Sequence, residues 1–172
     1  IKKVMKKVMK KVMNNFEQND IFFWSNNYMS NFFGCKIEEN NIIFNCVEQY
    51  FMYHKCILFN SDNTKLISLI LNETNPIKIK DFGRKVSKYS EVMWSEKRYE
   101  IMLNGLRLKF NQNENLKKKL ILTNNKNLYE ASPYDRIWGI GYTKTNAVKT
   151  DKSKYGLNLL GKALMELRLE LI

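Results

Sequence analysis

The sequence is poor in the residues that build metal and disulfide sites. It contains one histidine, His54, and three cysteines, Cys35, Cys46 and Cys56, none of them spaced as C-x-x-C. A single histidine excludes a histidine-rich metal centre and argues against a Ser-His-Asp triad. An odd number of cysteines without paired spacing argues against a disulfide framework and favours a reducing compartment. We therefore expect no metal site.

Long apolar runs and nucleotide-binding motifs are also absent. No segment approaches the roughly 20 apolar residues that a transmembrane helix needs. The amino end alternates lysine pairs with Val-Met, so it lacks the apolar core of a signal peptide. There is no P-loop, Rossmann fingerprint or kinase signature. The sequence predicts a cytoplasmic protein with no membrane span and no bound cofactor.

The 172 residues are 44% hydrophobic and 13% aromatic, which is typical of one folded globular domain. Residues 1–14 hold a basic low-complexity extension in which KKVM occurs three times, and we predict that residues 15–172 form the domain. The net charge is +12, and six lysines lie in the repeat, so the remainder carries 12 − 6 = +6. This basic excess favours polyanionic or phosphorylated partners.

The apolar patterning predicts a small amino-terminal β element followed by helices. Strands are expected at residues 21–24, near 35–37 and at 42–44, joined into one small sheet. The main helices are expected at 46–55, 63–71, 77–82, 90–110, 116–122 and from 157 onward, with an irregular segment at 129–156. The predicted fold class is α+β, predominantly helical.

One helix face carries the first candidate site. Asn45 is the expected N-cap, and Glu48, Phe51, Met52 and Lys55 follow at i, i+3, i+4 and i+7, which places them on one face. A carboxylate and an amine that flank apolar side chains lose hydration, which raises a carboxyl pKa and lowers an amine pKa. The alternative interpretation is a solvated ion pair on the helix surface.

A loop at residues 132–141 (SPYDRIWGIG) is the second candidate site. Gly139 and Gly141 permit close backbone approach, Trp138 offers a flat face to a base or sugar, and Asp135 offers a carboxylate. The alternative is a tight turn anchored by a core tryptophan. Carboxylates, a lysine and aromatic groups suit glycosyl chemistry, in which one group assists leaving-group departure and another stabilises positive charge at the anomeric carbon.

Several segments of the chain resemble the NADAR/YbiA-like family. The similarity covers residues 46–55 (CVEQYFMYHK), 105–110 (GLRLKF), 130–141 (EASPYDRIWGIG) and 158–168 (NLLGKALMELR) in the order of the family. Further matches are Ser30-Asn31-Phe32, Gly83-Arg84, Trp94 and Arg98. Together they span about residues 21–170. The resemblance implies a compact, YbiA-like, mainly helical domain that acts as an N-glycosidase.

The resemblance also implies residue roles. Glu48 and Asp135 would be catalytic carboxylates, and Lys55 would contact the ribose and trap an opened C1′ aldehyde as a Schiff base. The implied substrate-binding residues are Asn31, Arg84, Arg98, Trp138, Gly139 and Gly141. Trp24 is a further candidate that would line a cleft beside the first sheet, with core packing as the alternative, and Tyr50 and Asn158 complete the predicted binding residues.

Two substrate classes follow from the family. One is a phosphoribosylamino intermediate of riboflavin synthesis, and the other is an ADP-ribosylated guanine base, either free or in nucleic acid. The riboflavin-branch enzymes have Gly-Asp-Gly-Gly after the tryptophan, whereas this chain has Gly139-Ile140-Gly141-Tyr142. The rival interpretation is a non-catalytic module that binds ADP-ribose or nucleic acid.

Overall fold

The computed structural model describes residues 19–172, so the predicted KKVM extension at residues 1–14 lies outside the described residues. The predicted α+β, predominantly helical fold is confirmed. The described elements are β1 (Asp20–Phe23), β2 (Ile37–Glu39), β3 (Ile42–Phe44), α1 (Val47–Asn60), α2 (Thr64–Asn72), α3 (Pro76–Gly83), α4 (Glu91–Gln112), α5 (Glu114–Ile121), β4 (Asn127–Glu130), α6 (Lys144–Ala147), a 3-10 turn (Lys152–Lys154) and α7 (Leu159–Glu170).

Within residues 19–172 the β structure forms two separate two-stranded sheets, which corrects the prediction of one small sheet. β2 and β3 pair antiparallel, and their connection, Asn40-Asn41, has positive φ angles of 51° and 64°. Asparagine tolerates this left-handed conformation, which a two-residue hairpin turn of type I′ requires. β1 instead pairs in parallel with β4, placing Ile21 beside Leu128. Because β4 begins at residue 127, it shortens the predicted irregular segment.

Helix α1 lies at the centre of the fold and packs against α2, α3 and α4. Its N-cap is Cys46, which makes no side-chain capping bond, so the predicted Asn45 cap is wrong. The backbone N–H of Asn45 donates instead to Gln49 Oε1 at 2.6 Å. The buried Gln49 amide also donates to the carbonyls of Ile70, Leu71 and Glu73, which ties the first turn of α1 to the end of α2.

The predicted starts of three other helices lie within one residue of the observed starts, and the predicted Ser90 cap is confirmed. Asn63 accepts the Leu66 N–H before α2, Asn75 precedes Pro76 at the start of α3, and Ser90 accepts the Met93 N–H before α4. These side chains satisfy N–H groups that the first helical turn leaves without partners. Helices α2, α3 and α4 therefore begin where local sequence signals place them.

The last helix, α7, packs against both α4 and β4. It begins at Leu159, later than predicted, and Leu157 is 51% exposed, so Leu157 is not part of its apolar face. Leu160, Leu164 and Leu167 are fully buried in the main core. Among residues 19–172, no helix has both the length and the apolar character that a bilayer span requires.

Candidate active site

A cavity of about 370 Å³ opens where α1, α3, the end of β4 and two loops meet. The loops are residues 24–32 and 132–138, which follow β1 and β4 respectively. Since β1 and β4 are parallel and paired, their carboxyl ends lie at the same edge and bring the two loops together. The volume is at the small end of the range for small-molecule sites.

Helix α1 contributes the predicted face to this cavity. Glu48, Phe51, Met52 and Lys55 all line it, which confirms that the four side chains share one side of the helix. Phe51 and Met52 are buried, with exposed fractions of 4% and 6%. The carboxylate and the amine are therefore separated by apolar surface, as the spacing predicts.

Glu48 is the only carboxyl side chain on α1. Its side chain is buried, and its backbone N–H donates to the carbonyl of Asn31 at 3.1 Å. Burial raises the pKa of Glu48 to about 7, with a further increase from the charge of Asp135, against the lowering effect of Lys80 and Lys55. A carboxyl group in this state exchanges its proton near neutral pH.

Lys55 lies two turns further along α1, in an environment of carbonyl and aromatic groups. Its Nζ donates to the Gly83 carbonyl at 3.1 Å and lies 4.8 Å from the ring centroid of Tyr89 and 5.5 Å from that of Trp94. Burial lowers the pKa of Lys55, opposed by the charge of Glu91. A lowered amine pKa increases the neutral, nucleophilic fraction.

Glu130, the last residue of β4, is another acid in the cavity and is absent from the predicted site. Burial raises the pKa of Glu130 to about 8, reinforced by the charges of Asp135 and Glu48. The backbone N–H of Glu130 donates to Asn158 Oδ1 at 3.0 Å. The sequence signal for Glu130 is its position at the end of an apolar strand, directly before the candidate loop.

Asp135 also lines the cavity, and it organises the loop that carries it. Its Oδ1 accepts the backbone N–H groups of Ile137 at 2.9 Å and Trp138 at 2.8 Å, which forms an Asx turn. Its Oδ2 lies 4.0 Å from the Nζ of Lys80, another cavity residue absent from the prediction. Asp135 thus supplies negative charge near Glu48 and Glu130 while one of its oxygens is held by the backbone.

The acidic side chains do not form a metal site. Within residues 19–172, no three His, Cys, Asp or Glu side chains are arranged to hold a metal ion. The positive charge near the acids comes instead from Lys80, Lys55 and Arg84, each of which lowers the pKa of Glu48.

Asn31 presents an unpaired acceptor to the cavity. Its side chain is 7% exposed, and its Oδ1 is buried without a hydrogen-bond partner, the only such side-chain N or O atom found in residues 19–172. A buried polar atom without a partner costs about 1–3 kcal/mol. A ligand hydroxyl or N–H group in the cavity would satisfy it.

The walls of the cavity are aromatic. Trp94 and Trp138 both pack on Phe51, with ring centroids 4.9 Å and 5.3 Å from it. Trp24, at the end of the loop nearest to β1, is 43% exposed and lies at the cavity mouth with Tyr134. Trp24 and Trp138 are therefore both brought to the site, and Trp94 and Tyr134 join them although the prediction does not include them.

Two predicted binding side chains lie elsewhere. Tyr50 does not line the cavity: its hydroxyl donates to Glu39 Oε1 at 3.2 Å, and its ring packs over Gly105. The reason is helical geometry, because a residue two positions after Glu48 points to nearly the opposite side of α1. Arg98 does not line the cavity either, and its guanidinium is 3.6 Å from Glu91. Arg84 does line it and pairs with Asp81.

Three further predicted residues support the site rather than line it. A Cβ on Gly139 would lie 2.9 Å from the Glu130 carbonyl oxygen, so only glycine fits there without a shift, and Gly141 has a positive φ of 75°. Asn158 has a φ of 52°, and its Nδ2 donates to the Leu128 carbonyl at 2.9 Å. Asn158 therefore fixes the end of β4, and with it Glu130.

A family model described as the NADAR domain matches residues 7–172 of this chain. The match includes every residue that lines the cavity. It begins within the KKVM extension.

Two curated proteins illustrate the similarity. The chain is 44% identical to N-glycosidase R617 of Acanthamoeba polyphaga mimivirus over 124 residues, which are 72% of this chain and 72% of that protein. It is 41% identical to Protein irg-1 of Caenorhabditis elegans over 137 residues, which are 78% of this chain and 64% of that protein.

A solved structure supports the fold. The NMR structure of the E. coli protein YbiA superposes with a TM-score of 0.71 and 29% sequence identity, covering 89% of this chain and 84% of that one. The predicted YbiA-like fold is thereby confirmed.

Proposed function

The chain belongs to the NADAR domain family, and from this premise we propose that it is an N-glycosidase that hydrolyses the C1′–N bond of a phosphorylated ribosyl substrate. The observation that carries the proposal is the convergence of Glu48, Glu130, Asp135 and Lys55 on one small cavity. Two of these acids have pKa values of about 7 and 8, in the range that suits proton transfer at neutral pH.

The two perturbed carboxyl groups divide the proton transfers of such a hydrolysis. Glu130, whose carboxyl pKa burial raises to about 8, acts in its protonated form and donates its proton to the departing nitrogen as the C1′–N bond breaks. Glu48 in its ionised form accepts a proton from the water whose oxygen bonds to C1′. The products are a ribose with a C1′ hydroxyl group and a protonated leaving base, so atoms and charge balance.

Asp135 and Lys55 act on the sugar in this scheme. The Asp135 carboxylate stabilises the positive charge that develops at C1′, because a fixed charge close to a reacting centre needs no reorganisation during the reaction. Lys55 has a lowered pKa and a position on the same cavity wall as Glu48, which suit condensation with the aldehyde of an opened ribose. That condensation forms a C=N bond and releases water.

The polar groups near the acids support a phosphorylated sugar as the proposed substrate. The unpaired Asn31 Oδ1 accepts a hydrogen bond from a ribose hydroxyl, and Lys80 and Arg84 place positive charge at the α3 side of the cavity. We infer two substrate classes for this pocket, an ADP-ribosylated guanine and a phosphoribosylamino intermediate of riboflavin synthesis. Both present a C1′–N bond and a phosphate.

The test is hydrolysis of ADP-ribosylated guanosine and of the riboflavin intermediate by the wild type and by Glu48→Gln, Glu130→Gln and Lys55→Ala. We expect cleavage of at least one substrate and a loss of at least 100-fold in Glu48→Gln and Glu130→Gln, because acid–base groups contribute about 10²–10⁴-fold. Lys55→Ala should remove the Schiff base with the opened ribose. Borohydride treatment with substrate should add a ribosyl mass to Lys55 in the wild type.

Matched controls are Glu96→Gln and Lys65→Ala, since both side chains are exposed and lie outside the cavity. Neither control should change turnover by more than twofold. If the wild type binds ADP-ribose but cleaves neither substrate, the chain is a binding module and the proposed activity is wrong.

A further inference from the structure

The rim of the cavity carries two exposed aromatic side chains whose function the hydrolysis does not explain. Trp24 follows β1, and Tyr134 belongs to the loop after β4, and both line the cavity. Their exposed fractions are 43% and 88%, and their ring centroids are 6.0 Å apart with an interplanar angle of 56°. Single exposed aromatics are common on proteins, whereas two neighbouring exposed rings that line one cavity indicate a contact surface for a ligand.

The backbone under both rings is held in place. Ser25, directly after Trp24, has a positive φ of 57°, a conformation that costs energy in a serine and is enriched at functional positions. The Trp24 carbonyl accepts the Asn27 N–H at 3.3 Å. On the other loop, the Tyr134 N–H donates to Ser132 Oγ at 3.4 Å, directly before the Asx turn of Asp135. The rings are therefore presented by turns with internal hydrogen bonds.

The difference in exposure between the polar groups and the two rim rings indicates what the rings contact. Glu48 and Asn31 are buried, with exposed fractions of 6% and 7%, whereas Trp24 and Tyr134 are exposed, so a sugar that contacts the buried polar groups lies deeper in the cavity than the two rings. The planar base attached to such a sugar then extends toward the mouth. Aromatic side chains bind bases through stacking, which is tolerant of sequence because every base has a π-face.

We propose that Trp24 and Tyr134 form a stacking platform for a heteroaromatic base of the substrate. This proposal depends on the proposed function in one respect, which is that the sugar of the substrate lies in the interior of the cavity. The base has two possible sources: the leaving base at C1′, or the distal adenine of an ADP-ribosyl group. Its planar heteroaromatic chemistry is common to both sources, and the ligands below separate them.

The experiment is calorimetric titration of the full chain with three ligands. Ribose 5-phosphate has no base, guanosine 5′-monophosphate has its base at C1′, and ADP-ribose has only the distal adenine. We expect Trp24→Ala and Tyr134→Ala to reduce the affinity for at least one base-containing ligand by about fivefold or more, because this is the loss that the stacking energy of a base on an aromatic side chain implies. The affinity for ribose 5-phosphate should change by less than twofold. Trp24→Phe and Tyr134→Phe should restore most of the lost affinity.

Leu122→Ala is the matched control, because Leu122 is 73% exposed and lies outside the cavity. A loss confined to guanosine 5′-monophosphate assigns the platform to the leaving base, and a loss confined to ADP-ribose assigns it to the distal adenine. The proposal is overturned if the alanine variants bind all three ligands like the wild type, or if they lose affinity for all three ligands equally. It is also overturned if the wild type binds neither base-containing ligand more tightly than ribose 5-phosphate. If binding depends on the base and on Trp24 but no substrate is hydrolysed, the proposed stacking platform stands and the proposed N-glycosidase activity is wrong.

Discussion

Replacing Glu48 by glutamine should make the protein more stable and less active at the same time. Glutamine keeps the shape of a protonated glutamate but cannot ionise, so it removes a buried negative charge. The folded-state pKa of Glu48 is raised from 4.5 to about 7. Its ionisation therefore costs no stability below about pH 4.5, costs progressively more as the pH rises through 7, and reaches a constant cost above that.

The magnitude follows from the size of the shift. The change is 7 − 4.5 = 2.5 pKa units, and each unit corresponds to about 1.36 kcal/mol. We therefore expect Glu48→Gln to exceed the wild type by roughly 3 kcal/mol in unfolding free energy at pH 8, and by less than about 1 kcal/mol at pH 5. For a domain of this size, about 3 kcal/mol corresponds to an increase of roughly 6–12 °C in Tm.

Urea denaturation of the wild type and the variant at pH 5, 6, 7 and 8 measures this difference directly. Glu96→Gln, at an exposed position of α4, provides the control and should show no comparable pH-dependent gain. A stability difference for Glu48→Gln that is independent of pH, or that grows as the pH falls, would refute the argument that burial raises the pKa of this carboxyl group.

Two further predictions concern buried positions outside the cavity. Lys109 is fully buried, donates to the Ser30 carbonyl at 3.0 Å, and has a pKa that burial lowers from 10.5 to about 8, so the destabilising effect of its charge decreases as the pH rises. Urea denaturation should therefore show that the stability gained by Lys109→Met over the wild type falls by about 1 kcal/mol between pH 7 and 9. A constant difference would contradict this prediction. Gly161 lies in α7, where alanine normally stabilises a helix by about 1 kcal/mol. Here a Cβ would lie 2.1 Å from the Leu128 carbonyl oxygen, so thermal unfolding of Gly161→Ala should show a decrease of about 3 kcal/mol in unfolding free energy. Gly34→Ala is the control and should leave the unfolding free energy unchanged, because the space around Gly34 is open.

The sequence was sufficient to predict which face of α1 lines the cavity, because that face depends only on local geometry. Residues at i, i+3, i+4 and i+7 share one side of any α-helix, so Glu48 and Lys55 can be placed on the same side of α1 without reference to the rest of the chain. The same geometry excludes Tyr50, which a motif-based assignment includes because it is close in sequence. Spacing along a helix was therefore a better guide than proximity within a motif.

Glu130 and the sheet pairing could not be derived in this way. Glu130 enters the cavity only because β4 pairs with β1, whose partner residues are about 107 positions away in the chain. Short apolar strands such as Asp20–Phe23 carry no signal for a distant partner, so pairing with the neighbouring strands is the natural expectation. The supporting role of Asn158 has the same origin, since its partners Leu128 and Glu130 are distant in sequence.

The parallel pairing of β1 and β4 also determines when the pocket can exist during synthesis. The strand that leads into Trp24 is among the first described segments to leave the ribosome, yet its partner follows about 107 residues later. Asn158, which fixes the end of β4, is made later still. Most of the polypeptide must therefore be translated before the acids and the rim aromatics can meet, and such long-range closure is intrinsically slow. A nascent chain that stalls before residue 127 would contain the Glu48 and Lys55 pair without the opposite wall of the pocket.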